Sequence, residues 1–390
     1  MNKICDCFSW KRLGSAFAVS YAVVLALCLC LQWSPSLQRH VMYLHYVTLT
    51  GPAGLIGHVR WQFGREKERQ YGVESVKVEW AGGEVRGYYA RNPSSIDSSA
   101  DSSSISSSIH DARDDVVIFI HGNCATRALP WRKRHLLLLA DVFSHAYSID
   151  VRGYGDVPGF PTEHGVIEDA VKFFEFVKER HGVGSRVFFY GHSMGGAIAS
   201  GAVSKIQACG DGGKRHPMRD DARGGVQGVI IDASFSNGTV AALNHFSTLP
   251  IRALVPYASS FIRSAIVDRF DSDVRLGGVD VPVFIMHARS DWEIPISVAG
   301  GLALRDQIVG IRCRRYSKGA RVRLGCDADG GGSEGGAAGV QVRVYEGFWT
   351  GHENIHGREE FRGDVGIFRE RVLEGDRKRR NIEEVEQWGY

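Results

Sequence analysis

Gly191-His192-Ser193-Met194-Gly195-Gly196 follows the apolar run Arg186-Val187-Phe188-Phe189-Tyr190 and precedes Ala197-Ile198-Ala199-Ser200, which favours a helix. A Gly-x-Ser-x-Gly between strand and helix holds its serine on a sharp, strained turn with the hydroxyl exposed, and the helix N-terminus behind it favours negative charge. The setting carries the signal, because 47 Gly make the bare pattern common in this chain. Upstream, Val116-Val117-Ile118-Phe119-Ile120 ends in His121-Gly122-Asn123-Cys124, where a second backbone donor is expected in this layout. The N–H groups of Asn123 and Met194 are the expected oxyanion hole for acyl transfer. Cys124 reads as a small residue under the loop rather than as a nucleophile.

A serine nucleophile needs a base and an acid. Val283-Phe284-Ile285-Met286-His287-Ala288-Arg289-Ser290-Asp291 places Asp291 just past an apolar strand, and Trp292-Glu293-Ile294-Pro295 keeps it in a turn. Asp273, Asp280 and Glu293 are rivals that follow no apolar strand so directly. Gly351-His352-Glu353-Asn354-Ile355-His356 offers two bases after the last strand; His352, nearer the strand end, is preferred to His356. The order Ser193, Asp291, His352 is one of three chain orders known for such triads. Residues 352–356 also spell His-Glu-x-x-His, a zinc-peptidase signature that works only on a helix. Gly351 before it and Gly357 after it argue against a long helix.

Short β-branched or aromatic runs alternate with amphipathic stretches, the pattern of a mostly parallel sheet with helices on both faces. Strands are expected near Ser75–Trp80, Glu84–Ala90, Asp115–Ile120, His145–Asp150, Arg186–Tyr190, Val226–Ile231, Pro282–His287 and Gln341–Tyr345, with a helix over Val166–Arg180. This makes one α/β domain over residues 73–375, with a tail over 376–390. Inserts rich in Ser or Gly at 94–108, 210–225 and 325–339 lack the apolar surface to offset ordering entropy. The Leu/Ile/Phe/Ala-rich stretch 238–276 is a possible cap over the site and a source of its specificity.

Ahead of that domain, residues 1–12 form a short N-terminus. Residues 13–33 carry no charge, and as a helix at about 1.5 Å per residue they span a hydrocarbon core of about 30 Å. Bulky Leu31, Gln32 and Trp33 stand where a signal peptide would be cleaved, so a retained single-pass anchor is expected. Lys3, Lys11 and Arg12 precede it and only Arg39 follows closely, which puts the N-terminus in the cytosol and the catalytic domain in a lumen or outside. Asn237-Gly238-Thr239 is a glycosylation sequon, usable on that side. Cys5 and Cys7 are positioned for acylation, whereas Cys28 and Cys30 read as small helix residues. Residues 34–72 are a linker. The apolar stretch Val41–Trp61 is broken by His45, Pro52 and several Gly and is not expected to be a second span.

Composition narrows the classes further. Lys+Arg 47 against Asp+Glu 44 leaves +3, too little for an electrostatic nucleic-acid binder. Hydrophobic residues at 44% exclude wholesale disorder. The 8 Cys form no paired CxxC units, so a structural zinc site or disulfide scaffold is not expected.

The stretches HGNCATR from His121, IDVRGYGD from Ile149, YGHSMGG from Tyr190, IDASFSN from Ile231, HARSDWEIP from His287 and GHENI from Gly351 together resemble the ABHD12-like branch of α/β-hydrolases, membrane-anchored lysophospholipases and monoacylglycerol lipases. They span residues 115 to about 373. The resemblance implies an α/β-hydrolase fold and a single N-terminal span, with the domain in the lumen of the endoplasmic reticulum. It implies Ser193 as nucleophile, Asp291 as acid and His352 as base. It also implies a single-chain lipid ester as substrate, and neither metal nor organic cofactor. The same motifs resemble acyl-protein thioesterases of the wider family. A zinc peptidase and a non-catalytic interaction module are the readings from other classes.

Overall fold

A computed structural model describes residues 34–43, 70–94, 114–208, 225–245, 258–318, 339–347 and 350–387, with isolated positions 26, 30, 248 and 252. The expected span at 13–33 lies outside the described residues apart from two such positions, as do Cys5 and Cys7 and nearly all of the three inserts. Among the described residues, no helix is long and apolar enough to cross a membrane.

Strands β1 (Glu74–Trp80), β2 (Gly83–Arg91), β3 (Asp115–Ile120), β4 (His145–Asp150), β5 (Arg186–His192), β6 (Val226–Asp232), β7 (Val283–Ala288) and β8 (Val340–Tyr345) form one sheet in the order β1-β2-β4-β3-β5-β6-β7-β8. β1 and β2 pair antiparallel and β2 meets β4 antiparallel, while every pair from β4 to β8 is parallel. These are the strands expected from the sequence, with ends shifted by no more than about two residues. The reason is burial on both faces, which makes the central strands continuous apolar runs. Val116, Ile118 and Ile120 of β3 join one core with Val187 and Phe189 of β5, and Val117 and Phe119 join the other with Phe188 and Tyr190. The period of two assigns each side chain to its layer.

Helix α1 (Pro35–Tyr43) precedes the sheet; α2 (Pro130–Ala140), α3 (Glu163–His181), α4 (Met194–Ala208), α5 (Gly238–Asn244), α6 (Ala258–Ala265), α7 (Ser272–Gly277), α8 (Gly301–Lys318) and α9 (Phe361–Gln387) follow. Apolar residues of α3, α4, α7 and α8 fill the first core, and those of α2 and α9 fill the second. α3 shows how local chemistry sets such a helix. Thr162 caps its start by accepting from Gly165 N at 3.0 Å, Glu163 sits at the positive end, and Lys178, Arg180 and His181 sit at the negative end before Gly182 at φ 84°.

Three boundaries differ from the sequence reading. α9 runs to Gln387, so most of the expected tail continues a helix whose earlier turns are anchored by Phe361, Val365, Phe368 and Val372 in the core. The end of the stretch 238–276 packs into the α/β core, where Leu276 of α7 is buried and a Cβ on Gly277 would meet Ile311 of α8 at 2.7 Å. The linker contains α1, whose Tyr43 is fully buried in the core of the α/β domain.

Candidate active site

β5 turns into α4 at Ser193, which has φ 51°, a left-handed conformation costly for a residue with a side chain. Tight packing keeps it there. A Cβ on Gly191 would lie 2.4 Å from Gly195 O, and one on Gly195 would lie 2.1 Å from Ile120 O, so glycine is required at both places. Ser193 N donates to Asp232 O at 2.8 Å, which ties the turn to the end of β6.

The loops after β7 and β8 bring the other residues to this turn. His352 Nε2 lies 2.8 Å from Ser193 Oγ, and His352 Nδ1 lies 2.8 Å from Asp291 Oδ2. All three side chains are buried. Asp291 Oδ1 accepts from the N–H groups of Glu293 at 3.0 Å and Ile294 at 2.9 Å. With the carboxylate accepting from Nδ1–H, the lone pair of Nε2 faces the serine hydroxyl. Burial favours the uncharged imidazole, but the hydrogen bond and charge of Asp291 prevail and raise His352 to about 9. Burial likewise works against the Asp291 carboxylate, and its bonds to His287 and His352 outweigh it, leaving the group below the usual carboxylate range.

Two further histidines, absent from the sequence reading, support this arrangement. His287 Nδ1 accepts from Gly301 N at 3.2 Å, so its Nε2–H points to Ile294 O at 2.9 Å and Asp291 Oδ2 at 3.2 Å. His192 Nε2 donates to His352 O at 2.9 Å and holds the backbone of the base. Their only sequence signal is position: His287 at the end of an apolar strand and His192 beside the serine.

The rival residues lie elsewhere. Asp273 caps Val274 N at the start of α7, and Asp280 pairs with Arg315. Glu293 Oε2 stays 4.0 Å from His352 Nε2. His352 and Glu353 occupy a turn and only Ile355–Gly357 forms a 3-10 turn, so the two His of the zinc signature share no α-helix face. His356 stacks on His135 with ring centroids 4.7 Å apart, and burial pushes it down to about 4. His192, His352 and Glu353 do bring ligand atoms within 4.8 Å of one another, as do Asp114, His145 and His181 at the far end of β4. A metal in the first group would take one ring nitrogen of His352 and displace its bond to Ser193 or to Asp291.

The loop from His121 to Arg127 carries the other expected donor. Cys124 and Ala125 have φ 55° and 56°, strained positions that the surroundings must hold. Asp150, at the end of β4, accepts from His121 Nε2, Thr126 Oγ1, Arg127 N and Arg127 Nη1, each at 2.6 Å. Burial opposes the charge of Asp150, yet these partners lower it to about 2. Arg132 of α2 donates to Cys124 O at 2.9 Å and Asn123 O at 3.1 Å, which fixes the orientation of both loop carbonyls. The N–H groups of Asn123 and Met194 meet no protein acceptor among the described residues. Burial pushes the Cys124 thiol up and keeps it protonated, unlike a reactive cysteine. Asp150→Ala leaves the His121 and Arg127 groups buried without their acceptor, and is expected to cost about 3–5 kcal/mol of unfolding free energy. A urea melt reads this directly, and a change under about 1 kcal/mol would refute the role given to Asp150.

Asn237, the glycosylation candidate, is committed to other bonds in the fold. The side chain is buried, its Oδ1 caps α5 by accepting from Thr239 N at 2.8 Å, and its Nδ2, the atom a glycan would occupy, donates to Asp271. The folded site offers a glycan no room.

A profile of the alpha/beta hydrolase family matches residues 117–321, more than half of the chain and including both the loop from His121 to Arg127 and the turn at Ser193. The chain belongs to the alpha/beta hydrolase family. Within it, this chain is similar to human Protein ABHD12B, 27% identical over 183 residues, which are 46% of this chain and 47% of the relative. It is also similar to the lysophosphatidylserine lipase ABHD12 of Danio rerio, 28% identical over 185 residues, or 47% of this chain and 45% of that one. The matches thus span about half the length of the curated relatives. Among solved structures, an esterase of Pyrococcus furiosus superposes with TM-score 0.51 at 15% identity, covering 78% of this chain and 93% of that one. An alpha-beta hydrolase of Vibrio vulnificus gives 0.51 at 17%, covering 88% and 94%. At these identities the structural likeness concerns the fold alone.

Proposed function

We propose that this chain is a serine ester hydrolase acting on single-chain lipids, lysophospholipids or monoacylglycerols, with Ser193, His352 and Asp291 as its triad. The observation that carries the reading is the continuous hydrogen-bonded line from Ser193 Oγ through the His352 ring to Asp291 Oδ2, both links 2.8 Å. In this mechanism Ser193 Oγ attacks the ester carbonyl carbon while its proton passes to His352 Nε2. Asp291 stabilises the imidazolium and holds Nδ1–H in place. The N–H groups of Asn123 and Met194 stabilise the oxyanion, where one lost donor typically costs about 3–4 kcal/mol. His352 then protonates the leaving alcohol, and water repeats the sequence to release the fatty acid.

The lipid substrate class is supported by the named activity of the ABHD12 relatives and by the uncharged run at 13–33, which we take as a single-pass anchor with the domain on the lumenal side of the endoplasmic reticulum. A thioesterase would use the same triad, so substrate decides between them. Purified full-length protein is expected to release fatty acid from lysophospholipid and monoacylglycerol micelles at least about tenfold faster than from an S-acylated peptide or a diacyl lipid, unaffected by a chelator. A preference for the S-acyl peptide would replace the lipase reading, and chelator-sensitive peptide cleavage would replace the triad.

A further inference from the structure

We infer that α1, which lies outside the segment matched by the family, is a positioning element of this site: it fixes the oxyanion loop at Asn123 and ties that loop to the root of the cap at Asp268. The inference rests on the hydrolase reading and adds a residue set to it.

The last carbonyls of a helix lack intrahelical partners and must find others. In α1 those of Met42 and Tyr43 are met by side chains from the site. Asn123 Nδ2 donates to Met42 O at 2.6 Å, and Tyr154 Oη lies 2.9 Å from Tyr43 O and 3.1 Å from Asn123 Oδ1, its one proton able to serve either. Asn123 Oδ1 also accepts from Cys124 N at 2.8 Å, and Asn123 O accepts from Arg132. Each polar atom of Asn123 except its backbone N is therefore engaged, and that N–H is the one proposed to meet the oxyanion. The other end of the link is a buried carboxylate. Asp268 accepts from Arg39 Nε at 2.9 Å, Arg39 Nη2 at 3.2 Å and Tyr43 Oη at 2.9 Å. The same return segment of the cap is joined to α1 by Val267 N to Gln38 Oε1 at 3.2 Å and by Phe270 edge-on to Tyr43. It is joined to the cap's start by Gly238 N to Arg269 O. A loop with two consecutive left-handed residues has no local reason to keep Asn123 in place, so contacts of this kind must hold it.

The test uses the full chain and a soluble short-chain ester, so that lipid presentation plays no part. Arg39→Gln combined with Tyr43→Phe removes the charged and hydroxyl links while keeping side-chain bulk. The expected result is a kcat about 10- to 100-fold lower with KM changed less than about twofold, because a misplaced donor acts on the transition state. Asn123→Ser keeps an acceptor for Cys124 N, loses the reach to Met42, and is expected to give a similar loss. Combined with the α1 pair, it should add little, since both act through one link. A kcat within about twofold of wild type, with only the melting temperature reduced, would make α1 a packing element and overturn the inference, as would fully additive losses. If the α1 pair does not fold, Asn123→Ser together with Tyr154→Phe decides by the same criterion. Fluorophosphonate labelling separates the two levels. Wild-type protein that never reacts removes the hydrolase reading and this inference together, whereas variants that react as fast as a reactive wild type remove this inference alone.

Discussion

Ser193→Ala is expected to lower kcat on the order of a million-fold and to abolish fluorophosphonate labelling. The size follows from what the hydroxyl does. The Cys124 thiol is no substitute, for burial favours its protonated form and it sits on a strained turn of the neighbouring loop. What remains is direct attack by water, helped by the oxyanion donors alone. Stability should hardly change, because deleting one hydroxyl removes only its hydrogen bond to His352. An alanine variant that folds normally and keeps more than about a hundredth of wild-type turnover would end the serine-hydrolase reading.

Asp291→Asn is expected to cost about ten-thousand-fold in kcat while leaving the fold intact. The geometry dictates how the amide must sit. Asp291 Oδ1 accepts from two backbone N–H groups, which have no other use, so the amide oxygen of Asn must take that place. The NH2 group then faces His352 Nδ1 and forces the proton onto Nε2, the atom that should accept from Ser193. The imidazole is held in the unproductive tautomer. His287 adds to the conflict, since its Nε2–H also points at the same position. The pH profile provides an independent check of the same interaction. In the wild type the base works only when neutral, so kcat/KM should fall as pH drops through the His352 value, which lies above the ordinary 6.5 and is raised to about 9. Without the carboxylate charge that raises it, burial dominates and the acid limb should move to lower pH. An Asn variant with near wild-type turnover and an unmoved limb would assign the acid to another residue.

These two effects come from parts of the chain that differ in how far the sequence alone reveals them. The serine turn is local: strand, two obligatory glycines and helix are contiguous, and their steric requirements are written within about ten residues. The strands were legible for a related reason: burial on both faces makes central strands such as β3 and β7 largely apolar runs, and the edge strands β1, β2 and β8 alternate polar with apolar residues. The base was partly legible. His352 and His356 stand four residues apart in a glycine-bordered turn, and sequence preferred the first only by its distance from β8; the 3-10 turn at Ile355–Gly357 is what carries His356 away to stack on His135.

By itself, then, the sequence determined the layered α/β architecture, the position of the strained serine, and the order in which its partners follow, because these depend on periodicity and short-range sterics. Tertiary structure alone decided which groups those residues meet. Asp150 and Arg132 bind the His121–Arg127 loop from two other elements, His287 and His192 bond to Asp291 and to the His352 backbone, and Asn237 is spent on capping a helix. α1 is the clearest case. Its residues read as linker because the partners that satisfy it, Asn123, Tyr154 and Asp268, lie about 80 to 230 positions away, and no local pattern records a bond made at that separation.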